Sequence, residues 1–348
     1  MVSLLIPTYN EEKHIQNLIA NLLEQDFDQT QWEVLFIDGN SSDKTQEIIK
    51  ENIAKNSSFK LFTNPDKYVP QALNIGIENS KGEIIVRLDA HSIYPKNYIS
   101  RLVEQLQILN TDNVGGMWIT EPGGTSTEAI AIATATTDKI GIGNVSYRLG
   151  SDSVQEVDTV PFGCFRRDIF DRIGKFDPDM LRNQDDEFNG RIIKNGGKIF
   201  LIPDLKIRYF ARPTFEKMRT MFYQYGLYKP LVMIKLGSPA TLRQFAPPAV
   251  VLCHLVALPL MLLPFLGWIC FAFIILYYSL ILVRSLQLAQ KAAHTYPGQS
   301  FLNLFVKIAC CIPQIHFSYG WGYIKGWWTF VILKKHLSSS SQSIKESR

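Results

Sequence analysis

Residues 33–50 read EVLFIDGNSSDKTQEIIK, and this stretch decides the fold. The apolar run 34–37 predicts a buried strand, and the pattern of residues 44–50 predicts a helix. Gly39 suits the turn between them, and the polar residues that follow it suit a helix N-cap. Turn and cap chemistry leaves only Asp38 without an explanation. We therefore predict that Asp38 emerges at the end of a strand and accepts hydrogen bonds from a ligand.

The same alternation of apolar run and helical pattern occurs four times near the start of the chain. The predicted strand and helix pairs are 2–6 with 12–23, 33–37 with 44–50, 60–62 with 70–79, and 83–88 with 96–109. Such alternation predicts an α/β fold with a mostly parallel sheet and helices on both faces. Sheets of this kind bind ligands beyond the carboxyl ends of their strands. Polar clusters follow three of these strands, so we predict one nucleotide site at that edge.

The loop after the first strand excludes one class of nucleotide enzyme. Dinucleotide-binding folds carry a Gly-x-Gly-x-x-Gly turn at this position. Here the loop contains Pro7 and Glu11 and lacks that glycine pattern. A hydride-transferring enzyme of the Rossmann type is therefore disfavoured.

Charge and cysteine content narrow the partners and the compartment. The chain has 36 basic and 32 acidic residues, which is too balanced for an electrostatic nucleic-acid binder. Its 5 cysteines show no Cys-x-x-Cys spacing and predict buried thiols in a reducing compartment. No signal-peptide pattern opens the sequence, so we expect the N-terminal domain in the cytosol.

The C-terminal part of the chain predicts a membrane anchor. Residues 244–283 contain no Asp, Glu, Lys or Arg, and as a helix they would extend about 60 Å, twice the hydrocarbon thickness of a bilayer. Two spans with a break around 264–268 fit better than one. Because Arg243 and Arg284 flank the run, the positive-inside rule places both ends in the cytosol. A buried helical pair in a soluble protein is the alternative.

Three flanking segments complete the organisation. Residues 215–235 interleave aromatic and basic side chains, which is typical of an interfacial helix and also compatible with core packing. Residues 301–333 are apolar but interrupted, so they could span the membrane, re-enter it or lie flat. The serine-rich end, residues 335–348, is predicted to be disordered.

An acidic cluster, residues 184–188, reads QDDEF and lies at the start of a predicted helix. Acids in the first turn of a helix are favoured by the helix dipole whatever the function. The dipole therefore accounts for the composition of the cluster and assigns no chemistry to it.

Taken together, several motifs resemble the family 2 glycosyltransferases with a GT-A fold. They are PTYNE (7–11), DGNSSDKT (38–45), ALNIGI (72–77) and DAH (89–91). Three further segments resemble membrane-bound bacterial exopolysaccharide enzymes of the succinoglycan glucosyltransferase type: RLDAH (87–91), VPFGCFR (160–166) and RNQDDEF (182–188). The resemblance covers about residues 1–235.

The resemblance implies roles for particular residues. Those that would bind the nucleotide sugar are Pro7, Thr8, Tyr9, Glu11, Asp38 and Asp89. Asp89 would also hold a divalent metal, Mn²⁺ or Mg²⁺, which neutralises the leaving diphosphate. His91 stands where many relatives have a second Asp. Metal ligation, a phosphate contact and simple packing are all open to it, and imidazole suits Mn²⁺ better than Mg²⁺.

The acidic cluster resembles the family motif Glu-Asp-x-Asp/Glu-Leu, in which the Asp is the general base. Asp185 would then take the proton of the acceptor hydroxyl in a single displacement that inverts the anomeric carbon. Glu187 would be the supporting acid. Gln184 departs from the usual Glu, so Asp186 remains the rival base.

These observations predict a metal-dependent, inverting GT-A glycosyltransferase followed by transmembrane helices. We expect a catalytic domain at 1–214, an interfacial amphipathic segment at 215–243, a membrane region at 244–334 and a disordered tail. The predicted reaction moves a hexose, with glucose as one candidate, from a UDP-sugar to a lipid-linked saccharide in exopolysaccharide or cell-surface glycan synthesis. The domain would face the cytoplasm at the inner membrane. The alternatives are a polyprenyl-phosphate sugar transferase and a non-catalytic membrane scaffold.

Overall fold

A computed structural model describes residues 1–334 of the chain. The strands are β1 (Val2–Thr8), β2 (Trp32–Asp38), β3 (Phe59–Thr63), β4 (Ile84–Arg87), β5 (Asn113–Glu121), β6 (Gln155–Glu156), β7 (Cys164–Arg166) and β8 (Ile199–Phe210). The helices are α1 (Ile15–Leu23), α2 (Thr45–Ile53), α3 (Val69–Asn79), α4 (Tyr98–Ile108), α5 (Thr127–Ala135), α6 (Lys139–Ile142), α7 (Ser146–Leu149), α8 (Asp168–Ile173), α9 (Gln184–Lys194), α10 (Phe215–Leu236), α11 (Ala246–Leu260), α12 (Pro264–Thr295) and α13 (Phe301–Gly326). The predicted disordered tail lies outside the described residues.

One sheet contains all eight of the described strands, in the order β3-β2-β1-β4-β7-β5-β8-β6. β1 pairs in parallel with β2 and with β4, and β2 pairs in parallel with β3. β7 runs antiparallel to β4 and β5, and β6 runs antiparallel to β8. The carboxyl ends of β1, β2 and β4 therefore meet at one edge, as the strand pattern predicted. The α/β fold prediction is confirmed.

The chain divides into two compact units. The first contains residues 1–119 and 146–209, and the second contains residues 120–145 and 210–334. In the first unit, apolar side chains of the central strands pack under α1 and α4 on one face and under α3 and α9 on the other. This packing makes the sheet a rigid platform. The units do not follow a single cut near residue 214, because residues 120–145 group with the C-terminal helices.

The second unit holds the apolar helices. Three segments among the described residues are long and apolar enough to cross a membrane: Leu242–Leu260, Phe265–Thr295 and Phe301–Ile332. The uncharged run 244–283 divides at residues 261–263, immediately before Pro264, so two helices form where two were predicted. Arg284 pairs with the buried Asp138 at 2.6 Å, and Arg243 donates to the carbonyl of Asn144 at 2.9 Å. Both flanking arginines thus bind to the segment 138–144. The two ends of the predicted hairpin therefore lie next to the same segment.

Glycines let α10 and α13 pack with their backbones in contact. A Cβ added to Gly226 would lie 2.0 Å from the carbonyl oxygen of Tyr319, and one on Gly322 would lie 2.2 Å from that of Tyr223. Many residues of α10 are buried or half-buried. The aromatic residues of 215–235 contribute to this helix packing, and an interfacial role for the segment stays a prediction.

Candidate active site

The loops that follow β1 and β2 are joined by hydrogen bonds between the main chain of one and the side chains of the other. Asn10 N and Glu11 N donate to Ser41 Oγ and Thr45 Oγ1 at 2.8 and 2.7 Å. In return, Ser42 N donates to Asn10 Oδ1 at 2.9 Å. Asn10 has a φ of 54°, a left-handed value that Asn tolerates better than most residues. The two predicted polar clusters therefore form one wall at the sheet edge.

Asp38 is the centre of this wall and is enclosed by protein donors. Ser41 N and Gln46 Nε2 donate to Oδ1 at 2.8 and 2.6 Å. The hydroxyls of Thr8 and Ser41 donate to Oδ2 at 3.1 and 2.6 Å. Only 1% of Asp38 is exposed. The structure brings Asp38 and Thr8 together as predicted, but it uses the carboxylate to organise the loop.

The other predicted residues of the first loop differ in exposure. Pro7 and Tyr9 are half-buried, and Lys67 Nζ lies 5.6 Å from the centroid of the Tyr9 ring. Glu11 is buried at the end of the loop. Tyr9 thus offers an accessible ring beside a cation, an arrangement that a base or ribose can approach.

A row of alternating acids and bases crosses the sheet edge. His91 stands between two acids, with Nδ1 at 3.3 Å from Glu11 Oε1 and Nε2 at 3.5 Å from Asp89 Oδ2. Arg87 continues the row, because its Nη2 lies 3.4 Å from Asp89 Oδ1 and its Nη1 donates to Asp185 Oδ1. The row therefore links the predicted diphosphate residue to the predicted base through one arginine.

Arg87 is buried at the carboxyl end of β4, and its guanidinium lies 5.6 Å over the ring of Phe162. Burial alone would lower the pKa of Arg87, but Asp185 and Asp89 together raise it above its ordinary value. The side chain therefore remains charged. Phe162 has a φ of 65°, a conformation that costs a bulky residue about 1–3 kcal/mol and persists only where the surroundings impose it.

The first turn of α9 separates its three acids. Asp185 faces Arg87, and a third of its side chain is exposed. Glu187 is buried and accepts two hydrogen bonds from Arg191, at 2.6 and 2.9 Å. Of the three acids, it is Asp185 that pairs with Arg87 and so joins the row. Burial raises the pKa of the Asp185 carboxyl above its ordinary value, and Arg87 opposes that shift.

A buried amide network fixes α9 against the sheet. Asn113 Nδ2 donates to Asn189 Oδ1 at 2.8 Å, and Asn189 Nδ2 donates to Thr159 Oγ1 at 2.8 Å. Asn113 Oδ1 in turn accepts from the backbone N–H of Cys164 at 3.2 Å. All of these groups are paired and buried, which is the condition under which polar networks make a core rigid.

The donor set suits a divalent metal that is shared with a diphosphate. No group of three or more His, Cys, Asp and Glu side chains within residues 1–334 is arranged to hold a metal alone. Asp89 and His91 do present an oxygen and a nitrogen 3.5 Å apart. Cations bound with nucleotides take one or two protein ligands and complete their shell with phosphate oxygens and water. A metal-binding histidine commonly turns its other nitrogen toward a carboxylate, which is where Glu11 lies.

The sequence motifs name the residues that the structure places at this edge, but they do not indicate the contacts between them. Arg87 belongs to the RLDAH motif, which assigns it no role, although a cation directly after the apolar run 84–86 is a usable signal. The partners of Asp38 and the network around Asn113 depend on residues far apart in sequence. No local pattern could have identified them.

Known proteins resemble the chain in sequence and in structure. Residues 3–174 match the family model for glycosyl transferase family 2. The chain is 29% identical over 242 residues, 67% of its length and 74% of the relative's, to the dolichyl N-acetyl-alpha-D-glucosaminyl phosphate 3-beta-D-2,3-diacetamido-2,3-dideoxy-beta-D-glucuronosyltransferase of Methanococcus voltae. It is 27% identical over 249 residues, 71% and 74% of the two chains, to the succinoglycan biosynthesis protein ExoA of Rhizobium meliloti (strain 1021).

A solved structure shares the fold. The mannosyltransferase PcManGT from Pyrobaculum calidifontis, in complex with GDP-Man and Mn²⁺, aligns with a TM-score of 0.56 at 17% identity. The alignment covers 94% of this chain and 87% of that one. At this identity the likeness shows the common architecture.

Proposed function

The chain belongs to glycosyltransferase family 2, as its motifs predicted, and on that premise we propose that it transfers a hexose from a UDP-sugar to a lipid-linked saccharide. The transfer inverts the anomeric carbon. The catalytic unit faces the cytoplasm at the inner membrane, and the product belongs to an exopolysaccharide or another cell-surface glycan.

One observation carries this proposal: Arg87 contacts both Asp89 and Asp185. An inverting transferase needs its base and its leaving-group site on opposite faces of one anomeric carbon, so the groups that serve them must lie within about the breadth of one sugar. Asp185 takes the proton of the acceptor hydroxyl, and its partial exposure leaves room for that hydroxyl. Asp186 and Glu187 play no direct part in this assignment.

The nucleotide lies along the wall built by the first two loops. Pro7, Thr8 and Tyr9 line it, and Asp38 holds it in shape through its four hydrogen bonds. Asp89 and His91 bind the divalent cation, Mn²⁺ or Mg²⁺, which when bound neutralises charge on the leaving diphosphate. Glu11 supports His91 from its other side. The Pyrobaculum calidifontis neighbour is a complex with Mn²⁺, which supports a divalent cation as the cofactor.

The lipid-linked acceptor is supported by the apolar helices and by one relative's name. Three segments can cross a membrane, which keeps a catalytic unit near lipid-borne substrates. The Methanococcus voltae relative is named for a dolichyl-phosphate-linked sugar, and the Rhizobium meliloti relative for succinoglycan biosynthesis. A cytoplasmic orientation follows from the arginines at both ends of the predicted hairpin.

The test is nucleotide release by membranes that contain the protein. The donor panel includes UDP-glucose, UDP-GlcNAc, UDP-galactose and GDP-mannose, with Mn²⁺ or Mg²⁺ and with lipid extract as acceptor. We expect one UDP-sugar to be turned over, EDTA to stop the reaction, Asp89→Ala to abolish it, and Asp185→Asn to slow it by about 10³-fold. Product stereochemistry by NMR should show inversion.

Other outcomes separate the alternatives. Turnover with polyprenyl phosphate as sole acceptor favours the polyprenyl-phosphate sugar transferase. Donor binding without turnover on any acceptor favours the scaffold. GDP-mannose as the preferred donor would correct the nucleotide while leaving the residue roles in place.

A further inference from the structure

Arg87 occupies an unusual position for a buried cation. It comes directly after the apolar residues of β4, is 5% exposed, and lies between a predicted metal ligand and the predicted base. An arginine in such a place is costly to desolvate unless its partners are paired with good geometry. A role that needs a fixed positive charge between the two carboxylates would account for an arginine at this position.

We propose that Arg87 is a positioning residue that holds the base Asp185 at a fixed place relative to the metal-binding carboxylate Asp89. Nη1 binds Asp185 and Nη2 approaches Asp89, so one planar group spans both carboxylates. This inference rests on the proposed function, since it assigns Asp185 as base and Asp89 as metal ligand.

The choice of arginine follows from geometry. A guanidinium presents several N–H donors in one rigid plane, whereas a lysine ammonium is a point charge on a flexible stem. The ring of Phe162 packs against this plane, with Arg87 Cζ 5.6 Å from the ring centroid. Phe162 itself adopts a left-handed backbone conformation beside Gly163, whose carbonyl accepts the backbone N–H of Arg87 at 3.1 Å. The loop 161–163 thus fixes both the main chain and the side chain of Arg87.

This position gives Arg87 two opposing effects. It orders Asp185 for proton abstraction, which raises the transfer rate. It also places a positive charge 3.4 Å from Asp89, where a divalent cation binds, so it competes with that cation. Removing the charge should therefore slow transfer and tighten metal binding. A residue that only stabilised the fold would weaken both.

The experiment measures both quantities in the full-length protein in detergent. The protein is titrated with Mn²⁺ alone, and the concentration of free Mn²⁺ is measured by electron paramagnetic resonance. Single-turnover transfer is followed with the donor that the panel selects. For Arg87→Met we expect the single-turnover rate constant to fall about 100-fold, as for misplaced catalytic groups. Mn²⁺ should bind at least about fivefold more tightly, close to 1 kcal/mol.

Three comparison variants separate positioning from charge. Arg87→Lys keeps the charge and loses the bridge, so transfer should fall while Mn²⁺ affinity stays near that of the unaltered protein. Arg101→Met is the matched control, because Arg101 also joins two carboxylates, Asp204 and Glu104, on an exposed surface. It should change neither quantity. In an Asp185→Asn background, Arg87→Met should cost less than about fivefold more, since both changes disable the same group.

Two results would overturn the proposal. Unchanged or weaker Mn²⁺ binding in Arg87→Met contradicts competition at Asp89, and an additive loss with Asp185→Asn contradicts positioning of the base. Neither readout depends on which sugar is transferred. If the unaltered protein turns over no donor, the proposed function fails, and Mn²⁺ binding still decides whether Arg87 acts on Asp89.

Discussion

The loop after β2 and the first turn of α9 each present a carboxylate that the motifs singled out, and the structure treats them in opposite ways. Asp38 receives four hydrogen bonds from protein donors and is 1% exposed. Asp185 is held at one oxygen by Arg87, and a third of its side chain is exposed. The first carboxylate has its acceptor capacity occupied, whereas the second retains an oxygen for a substrate.

The difference shows that a carboxylate in a motif can either be available to a substrate or stabilise a loop. The number of protein donors that bind its oxygens distinguishes the two cases. Glu187 supports the same reading, since both of its oxygens are bound by Arg191 although it lies two residues from Asp185. A carboxylate saturated by the protein orders a loop or a helix. One that is anchored at a single oxygen can accept a proton.

The strongest test removes the proposed base, Asp185, and leaves the wall around Asp38 intact. Asp185→Asn should lower kcat by about 10³-fold, within the range that general bases contribute. The KM for the donor should change little, because the wall around Asp38 is untouched. Steady-state rates over a range of donor concentrations give kcat and KM, and single-turnover transfer with a saturating donor isolates the chemical step.

Asp186→Asn is the matched control for this change, because the two acids are neighbours in the same turn of α9. We expect it to retain activity within about threefold, since the proposal assigns removal of the acceptor proton to Asp185 and not to Asp186. Equal losses in the two variants would mean that Arg87 does not distinguish the base from its rival.

A smaller effect of a different kind is expected at Asp38. Asp38→Asn removes the charge that four donors share, so it should lower the free energy of unfolding by about 1–3 kcal/mol. Thermal unfolding in detergent measures this, with Asp186→Asn as the control. Donor affinity should fall only as the loop loosens. Lost nucleotide binding with an unchanged melting temperature would instead make Asp38 a direct nucleotide ligand, as its motif first predicted.

Much of the fold follows from local pattern. The four predicted strands correspond to β1–β4, and the four predicted helices to α1–α4, with every end within three residues. These elements were readable because each strand is a buried apolar run and each helix has one apolar face. The antiparallel strands β6 and β7 are two or three residues long, too short to carry a period. Their pairing depends on partners distant in the chain.

Sequence motifs could name the residues of the candidate site, but they could not indicate which of these residues contact one another. Asp89 and Asp185 were named from motifs, but 98 positions separate Arg87 from Asp185, and nothing in either segment indicates the other. The same holds for Gln46, which lies on α2 and reaches back to Asp38. Side-chain partners across loops are set by tertiary packing, which single-sequence patterns do not encode.

The smallest expected effect concerns the preference for Mg²⁺ or Mn²⁺ at the proposed metal site of Asp89 and His91. His91→Asp creates the Asp-x-Asp pattern of many family members and replaces an imidazole with a hard oxygen ligand. The ratio of Mg²⁺-supported to Mn²⁺-supported activity should rise about threefold, because carboxylates suit Mg²⁺ better than imidazole does. Donor-saturated initial rates over a range of each metal ion give this ratio.

The new carboxylate would stand next to Glu11, whose Oε1 is 3.3 Å from the present imidazole. Two carboxylates this close repel unless a cation lies between them, so the variant should lose more activity than the unaltered protein when metal is limiting. A second variant, His91→Asp with Glu11→Gln, removes the repulsion and should restore the normal response to metal concentration. If neither variant changes the Mg²⁺ to Mn²⁺ ratio, His91 does not bind the metal, and packing or a phosphate contact explains its place in the row.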